Sequence, residues 1–161
     1  KLQHRGSDKK IWHFNLHMDH VGKQAREEAC KLVLYKIKEM ADEDDVVLTG
    51  DFNVDQHNPI YDILNNSDEL RDGFESATEK YAWNGTFNAF DPGLWTDSRI
   101  DHVFVSERIH VKKYAVLLET YRSALSEKSV KKGDFPKELS FKRYEARLPS
   151  DHFPVVIEVE F

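Results

Sequence analysis

A chain of 161 residues that is 40% hydrophobic, with 10 Phe, 6 Tyr and 3 Trp, is the size of one domain and can fill a core, which excludes intrinsic disorder. A net charge of −6 excludes a broad electropositive face for nucleic acid, but not a phosphate site served by a local basic stripe or a divalent cation. The single cysteine, Cys30, excludes an internal disulfide, and the chain has no apolar run of about 18 residues of the kind that spans a membrane as a helix.

Residues 1–10 are polar around Gly6-Ser7-Asp8 and read as a turn between strands or a loose terminus. Ile11–Met18 alternates, with Ile11, His13, Asn15 and His17 on one side and Trp12, Phe14, Leu16 and Met18 on the other. That pattern predicts a strand with one strongly apolar face. Val21–Ala41 is the longest predicted helix, with Ala25, Ala29, Leu32, Val33, Ile37 and Met40 as its apolar stripe and Glu27–Lys31 as a supporting pair one turn apart. Cys30 lies on this helix and reads as a packed or half-exposed thiol, not a nucleophile. Asp45–Thr49 carries a Val-Val-Leu run into Gly50, a buried strand that completes a strand–helix–strand unit.

Asn58-Pro59 opens a short helix through Leu64, with Asn58 as its N-cap and Pro59 at the first helical position. A second short helix is predicted over Glu69–Ala77. Lys80–Ser98 is irregular and aromatic, with Tyr81, Trp83, Phe87, Phe90 and Trp95 set among Gly85, Pro92 and Gly93. Arg99–Ser106 and Val111–Thr120 read as strands, Tyr121–Leu148 as a long polar loop, and Phe153–Phe161 as the closing strand.

Acids, amides and imidazoles collect at the ends of these strands, where a rigid sheet can aim several polar groups at one point. Asp51 and Asn53 are two apart, so a continuing strand puts both on one side with Phe52 in the core. A carboxylate and an amide so placed can hold an attacking water and a phosphate oxygen. An Asx turn after the strand explains the same residues without chemistry. Asp101 has two readings, a carboxylate that orients His152 or a surface ion pair with Arg99. Asp151 and His152 are neighbours on extended chain and serve different partners, one a metal and the other phosphate. His17 is a phosphate contact or an ordinary histidine at a strand end, and His13, His20, His57 and His102 read as surface or structural. Trp83, Phe87, Phe90 and Trp95 can stack on a base or sugar, with core packing the alternative for at least two of them. Lys112-Lys113, Lys131-Lys132 and Lys142-Arg143 are candidate phosphate-neutralising spots, with solvated surface charge the plainer reading. The chain has no Gly-x-Ser-x-Gly elbow, glycine-rich phosphate loop, paired zinc cysteines or His-Glu-x-x-His.

Ordered motifs carry a resemblance. Asn15-Leu16-His17-Met18-Asp19-His20, with the following helix holding Ala25-Arg26, precedes Gly50-Asp51-Phe52-Asn53, then Arg99-Ile100-Asp101-His102-Val103-Phe104, then Pro149-Ser150-Asp151-His152-Phe153-Pro154-Val155. The set resembles the C-terminal half of the endonuclease/exonuclease/phosphatase (DNase I-like) superfamily. Gly85-Thr86-Phe87-Asn88 looks like an element of a bacterial subgroup of unassigned substrate. The resemblance implies an α/β fold, the C-terminal half of a four-layered α/β sandwich with a mostly antiparallel or mixed sheet and flanking helices.

It further implies a metal-dependent phosphoester hydrolase, whether phosphodiesterase, phosphatase or nuclease, using Mg²⁺ or Mn²⁺. By position, Asp51 prepares the attacking water and helps to bind metal, and Asn53 stabilises the transition state. His152 and His17 contact phosphate, Asp101 orients His152, and Asp151 is a metal-site acid. Asn15, Arg26, Trp83, Phe87 and Asn88 are the candidate substrate contacts. The family's first half supplies an Asn and the principal metal-binding Glu, yet only 16 residues precede His17. The expectation is therefore an incomplete domain, weak in metal binding and activity, with an apolar surface that self-associates or pairs with the missing half. Net acidity favours a small, lipid-like or sugar phosphoester over long duplex DNA as the substrate. A non-catalytic binding module on the same fold is the competing reading.

Overall fold

Strand β1 (Leu2–Gln3) folds back antiparallel on β2 (Lys10–His17), so the polar start is a turn between strands. Helix α1 (Lys23–Ala41) crosses over to β3 (Asp45–Asp51), which lies parallel beside β2. We obtained this architecture as a computed structural model that describes residues 1–125 and 144–160. The Lys131-Lys132 and Lys142-Arg143 spots and the last residue of the closing strand, Phe161, lie outside the described residues.

Beyond β3 come α2 (Pro59–Asn65), β4 (Arg71–Asp72), α3 (Gly73–Ser76) and β5 (Glu79–Tyr81), then β6 (Asp101–Val105), β7 (His110–Val116), β8 (Tyr121–Ala124), β9 (Tyr144–Arg147) and β10 (Val155–Glu160). One mixed sheet runs β1-β2-β3-β6-β4 and a second runs β10-β7-β5, while β8 and β9 pair separately. The polar stretch after Tyr121 is thus strand at both ends, with Tyr121 opposite Arg147. The helix expected over Glu69–Ala77 shrinks to α3, because Arg71-Asp72 pairs with β6 and the Asp72 carboxylate caps the Phe74 amide at 2.9 Å. Asn58 caps α2 as expected, accepting from the Ile60 amide at 3.0 Å.

On one face of the first sheet, Trp12, Phe14, Leu16, Val46, Leu48 and Phe104 pack against α1 and α2. On the other, Val47, Val103 and Val105 meet the second sheet through Val111, Tyr114, Val116, Val155 and Ile157. The described residues therefore form three layers of an α/β sandwich. The apolar stripe of α1 is rotated from the expected one. Cys30, Val33, Leu34, Ile37 and Ala41 face inward, while Leu32, 59% exposed, and Met40 face solvent. Both stripes fit a 3.6-residue period, and the contact with Ile60 and Leu64 on α2 selects between them. Cys30 is fully buried, and its thiol is pushed up to about 11 by desolvation and the Glu27 charge, so it is a packing residue.

Gly50 lets β2 and β3 close up at the end of the sheet that carries the acids. Its φ is +155°, and a Cβ there would sit 1.9 Å from the Leu16 carbonyl oxygen. Gly50→Ala is expected to lower stability by about 1–3 kcal/mol, read from the denaturant midpoint, because backbone must shift to admit the methyl.

Candidate active site

The register of β2, β3 and β6 sets His17 beside Asp51 and Asp51 beside Asp101, one row across three neighbouring strands. A period of two puts this row on the same face as Val47 and Val105, the side toward the second sheet. His17 Nε2 lies 3.3 Å from Asp51 Oδ2, and the His17 ring is otherwise exposed.

His152 reaches the row from the segment ahead of β10. A strap formed by Gly85-Thr86-Phe87-Asn88 holds it there. The fully buried Thr86 hydroxyl accepts from both the Ile100 and Asp101 amides at 3.0 Å, using its two lone pairs, while its carbonyl accepts from the Phe153 amide at 2.7 Å. The Asn88 amide donates to the Asp151 carbonyl at 2.7 Å, and the Phe87 ring meets the His152 ring edge-on at 5.3 Å. One strap thus ties the Asp101 strand to the Asp151-His152 segment.

His152 Nδ1 donates to Asp101 Oδ2 at 2.8 Å, since a carboxylate there only accepts. The other ring nitrogen, Nε2, faces Asp51 Oδ2 at 4.0 Å. Ligand-type atoms of Asp51, Asp101 and His152 all lie within 4.8 Å of one another, each residue half-buried. Partial burial draws the imidazole pKa down, but the Asp101 hydrogen bond and the charges of Asp101, Asp51 and Asp151 outweigh it. The net result is a His152 pKa above the usual histidine value. The ion pair between Asp101 and Arg99 does not form: Arg99 is buried and bonds to Asp72 at 2.9 Å.

Asn53 departs from strand geometry at φ +50°. Its amide donates to Asp51 Oδ1 at 2.9 Å, so the Asx turn and the clustered carboxylate are one feature. Its side-chain nitrogen donates to the Met18 carbonyl at 2.8 Å and lies 3.4 Å from Asp51 Oδ2. Phe52 is fully buried between them in sequence. One register step from His17, Asn15 donates to the Thr49 hydroxyl at 2.8 Å, and the same hydroxyl lies 2.8 Å from His13 Nε2.

Other candidates lie off the cluster. The Asp151 carboxylate, 3.5 Å from Ser150 Oγ, is outside the close trio. Arg26 donates to the Asp19 carbonyl at 2.8 Å, and the Asp19 carboxylate binds the Val21 and Gly22 amides, so this pair fixes the turn into α1. Trp83, 66% exposed, stands edge-on to Phe74 at 5.6 Å. Core packing accounts for none of Trp83, Phe87, Phe90 and Trp95, which are all exposed. Asn88 is fully buried and accepts from the Phe90 amide at 2.8 Å, a framework role. Lys112 and Lys113 are neutralised by Glu160 and Glu158 at 3.0 and 2.7 Å. His102, read as surface or structural, is buried beside Asp72, and the Asp72–Arg99–Tyr61 network around it gave no signal in the sequence.

Comparison with known proteins gives the row its context. The profile described as "Endonuclease/Exonuclease/phosphatase family" matches residues 11–152. A solved mannosyl-6-phosphatase of Bacteroides thetaiotaomicron VPI-5482 is similar at 46% identity and a TM-score of 0.83, over 98% of this chain and 54% of that one. The beta toxin of Staphylococcus aureus, solved with bound magnesium ions, shares the fold at 16% identity and a TM-score of 0.53, over 94% of this chain and 53% of its own. Among curated proteins, the uncharacterized protein L388 of Acanthamoeba polyphaga mimivirus is 29% identical over 97% of this chain and 52% of its own length. The chain spans about half the length of these relatives. With the profile matched from the start of β2 through His152, the chain belongs to the endonuclease/exonuclease/phosphatase family.

Proposed function

We propose that this chain supplies the water-activating and phosphate-contacting side of a metal-assisted phosphoester hydrolase that acts on a small phosphorylated substrate. The observation that carries the reading is the convergence of Asp51, Asp101 and His152 within 4.8 Å from two separate layers of the fold. Asp51 takes the proton of the attacking water. His152, its Nδ1–H fixed on Asp101, presents Nε2 to a phosphate oxygen and donates to it when protonated. His17 offers a second imidazole to the same phosphate, with Asn15 one step behind. Asn53, released from the Met18 carbonyl, donates to the charge that develops on the equatorial oxygens.

The donor set fits Mg²⁺ or Mn²⁺. These cations take one or two carboxylates and fill their remaining positions with water and phosphate oxygens; Asp51, within the close trio, would serve directly, and Asp151, outside the trio, would serve through a bound water. The bound cation would draw charge from the phosphate and favour a hydroxide-like nucleophile. Because the chain spans about half of its relatives' length, we also propose that further ligands, including a glutamate, come from sequence outside it. The exposed face of β2 bearing His13, Asn15 and His17 is the proposed docking surface for that half or for a second copy. A sugar phosphate is the favoured substrate class, supported by the 46% identity to a mannosyl-6-phosphatase and by the net charge of −6.

The test is chelator-sensitive release of inorganic phosphate from hexose 6-phosphates by this chain joined to the partner half proposed above (the longer protein), beside calorimetric titration of this chain alone with Mg²⁺ and Mn²⁺. Expected are turnover by the longer protein, and weak heats with near-background turnover for the chain by itself. Full activity of the isolated chain would overturn the shared-site reading. Asp101→Asn is expected to lower kcat by about 10–100-fold with an unchanged melting temperature, since it loosens the hold on His152 without opening the core.

A further inference from the structure

We infer that the cleft lined by Phe90, Tyr121, Glu145, Arg147 and Pro149 is the subsite for the leaving group, and that it takes a polyhydroxylated ring such as a hexose. The inference rests on the hydrolase reading above, because it places this cleft beside the phosphate. The cleft has a volume of about 550 Å³, within the usual range for a small-molecule site and ample for one or two sugar rings.

Chain geometry places it next to the cluster. Pro149, on its wall, is two residues from Asp151, so their Cα atoms are at most about 7 Å apart. Phe90, on another wall, is two residues from Asn88, whose amide bonds the Asp151 carbonyl at 2.7 Å. The phosphorus of a hexose 6-phosphate is joined to the ring through one oxygen and one methylene. The proposal seats the phosphate at His152 and the sugar ring in this cleft.

The lining matches hydroxyls better than the alternatives. Phe90 and Tyr121 keep 61% and 51% of their surface open, which offers flat apolar faces to the C–H side of a sugar ring. Tyr121 and Arg147 are direct partners across the β8–β9 ladder, so ring and guanidinium are held side by side. Arg147 Nε donates to Glu145 Oε1 at 2.7 Å, its Nη2 bonds the same oxygen, and Ser123 adds a third bond there at 3.3 Å. Among the described residues Glu145 Oε2 keeps its acceptor capacity, and the guanidinium has further N–H groups to offer. Sugar hydroxyls both donate and accept, and so suit this mixed edge. Among the described residues that line it, the Glu145–Arg147 pair leaves the cleft close to neutral, which disfavours a polyanion such as a nucleic-acid strand. Glu145 and Arg147 beside the aromatic faces disfavour an acyl chain. A nucleotide would place its base one ring further from the phosphate.

The experiment measures saturation-transfer NMR of methyl α-mannoside and adenosine on the longer protein, with inorganic phosphate present, for wild type, Tyr121→Ala and Arg147→Gln. Turnover of hexose 6-phosphate and methyl phosphate is followed in parallel. Expected is mannoside binding in wild type, weakened at least 10-fold in both variants. KM for the hexose phosphate should rise by a similar factor while turnover of methyl phosphate, whose leaving group is too small to fill the cleft, stays within about 2-fold. Mannoside binding that is absent, or equal in all three proteins, overturns the subsite, as does a preference for adenosine. A parallel fall of both activities in both variants also overturns it, since the cleft would then be structural. Mannoside binding that depends on Tyr121 and Arg147 in a protein without phosphatase activity supports the subsite and overturns the hydrolase reading alone.

Discussion

Asp51→Asn in the longer protein is expected to reduce phosphoester turnover by about 10³-fold, within the range that a positioned general base contributes. The substitution is nearly isosteric. An asparagine oxygen can still accept from the Asn53 amide, which Asp51 Oδ1 does now at 2.9 Å, so the turn at φ +50° should persist. What disappears is the negative charge between His17 and His152, 3.3 and 4.0 Å away, and with it the proton acceptor and a cation ligand. His152→Ala should cost between 10² and 10⁴-fold by the same reasoning. Unchanged melting temperatures would separate both losses from unfolding. If both variants keep wild-type turnover, the row at the strand ends has no chemical role, and the fold serves as a binding platform.

The parts of this molecule legible in the sequence are those where local pattern and tertiary structure ask for the same residues. The β2–α1–β3 unit was readable because an alternating run, a long 3.6-period segment and a short apolar run follow one another, and no other parallel arrangement accommodates them. Asn58-Pro59 was readable because cap chemistry is local. The row of polar groups at the strand ends is half legible. Spacing places Asp51 and Asn53 at a strand end, but the 2.8 Å contact between Asp101 and His152 spans 51 residues, so local pattern leaves it open against an ion pair with Arg99. The face of α1 is ambiguous in the sequence because Leu32 and Cys30 both lie on stripes of helical period, and α2 decides between them. Asn88 bonds the Asp151 carbonyl and the Phe90 amide, and Phe87 meets the His152 ring edge-on, a strap that the sequence does not announce. Polar residues in an irregular segment carry no periodicity to show whether they face ligand or backbone. The strands at Tyr121 and Tyr144 leave no pattern in the sequence for a related reason, since an exposed two-stranded ladder has no buried face to impose alternation.

Asp72→Ala is expected to destabilise the fold by about 3–5 kcal/mol, a large share of the stability of a domain this size. Asp72 has no exposed surface. It accepts from Tyr61 Oη at 2.7 Å, Arg99 Nη1 at 2.9 Å and the Phe74 amide at 2.9 Å. Arg99 is buried with it, its guanidinium stacked 3.9 Å over the Phe74 ring, so removing the carboxylate leaves a buried cation without its counter-charge. Asp72→Ala combined with Arg99→Met should recover part of the loss, because no buried charge is then left unpaired. The same carboxylate fixes a pH dependence. Burial alone would raise its pKa, but His102, whose Nδ1 lies 3.7 Å away, and Arg99 override that and hold it at about 2. A carboxyl depressed in the folded state contributes stability that is complete above its unfolded value near 4 and fades as pH falls toward 2. The contribution is about 2 kcal/mol. Urea unfolding of wild type and Asp72→Asn between pH 5 and pH 2 should therefore converge as the pH drops. Two stability curves that stay parallel across that window would show that the buried pair is neutral to folding.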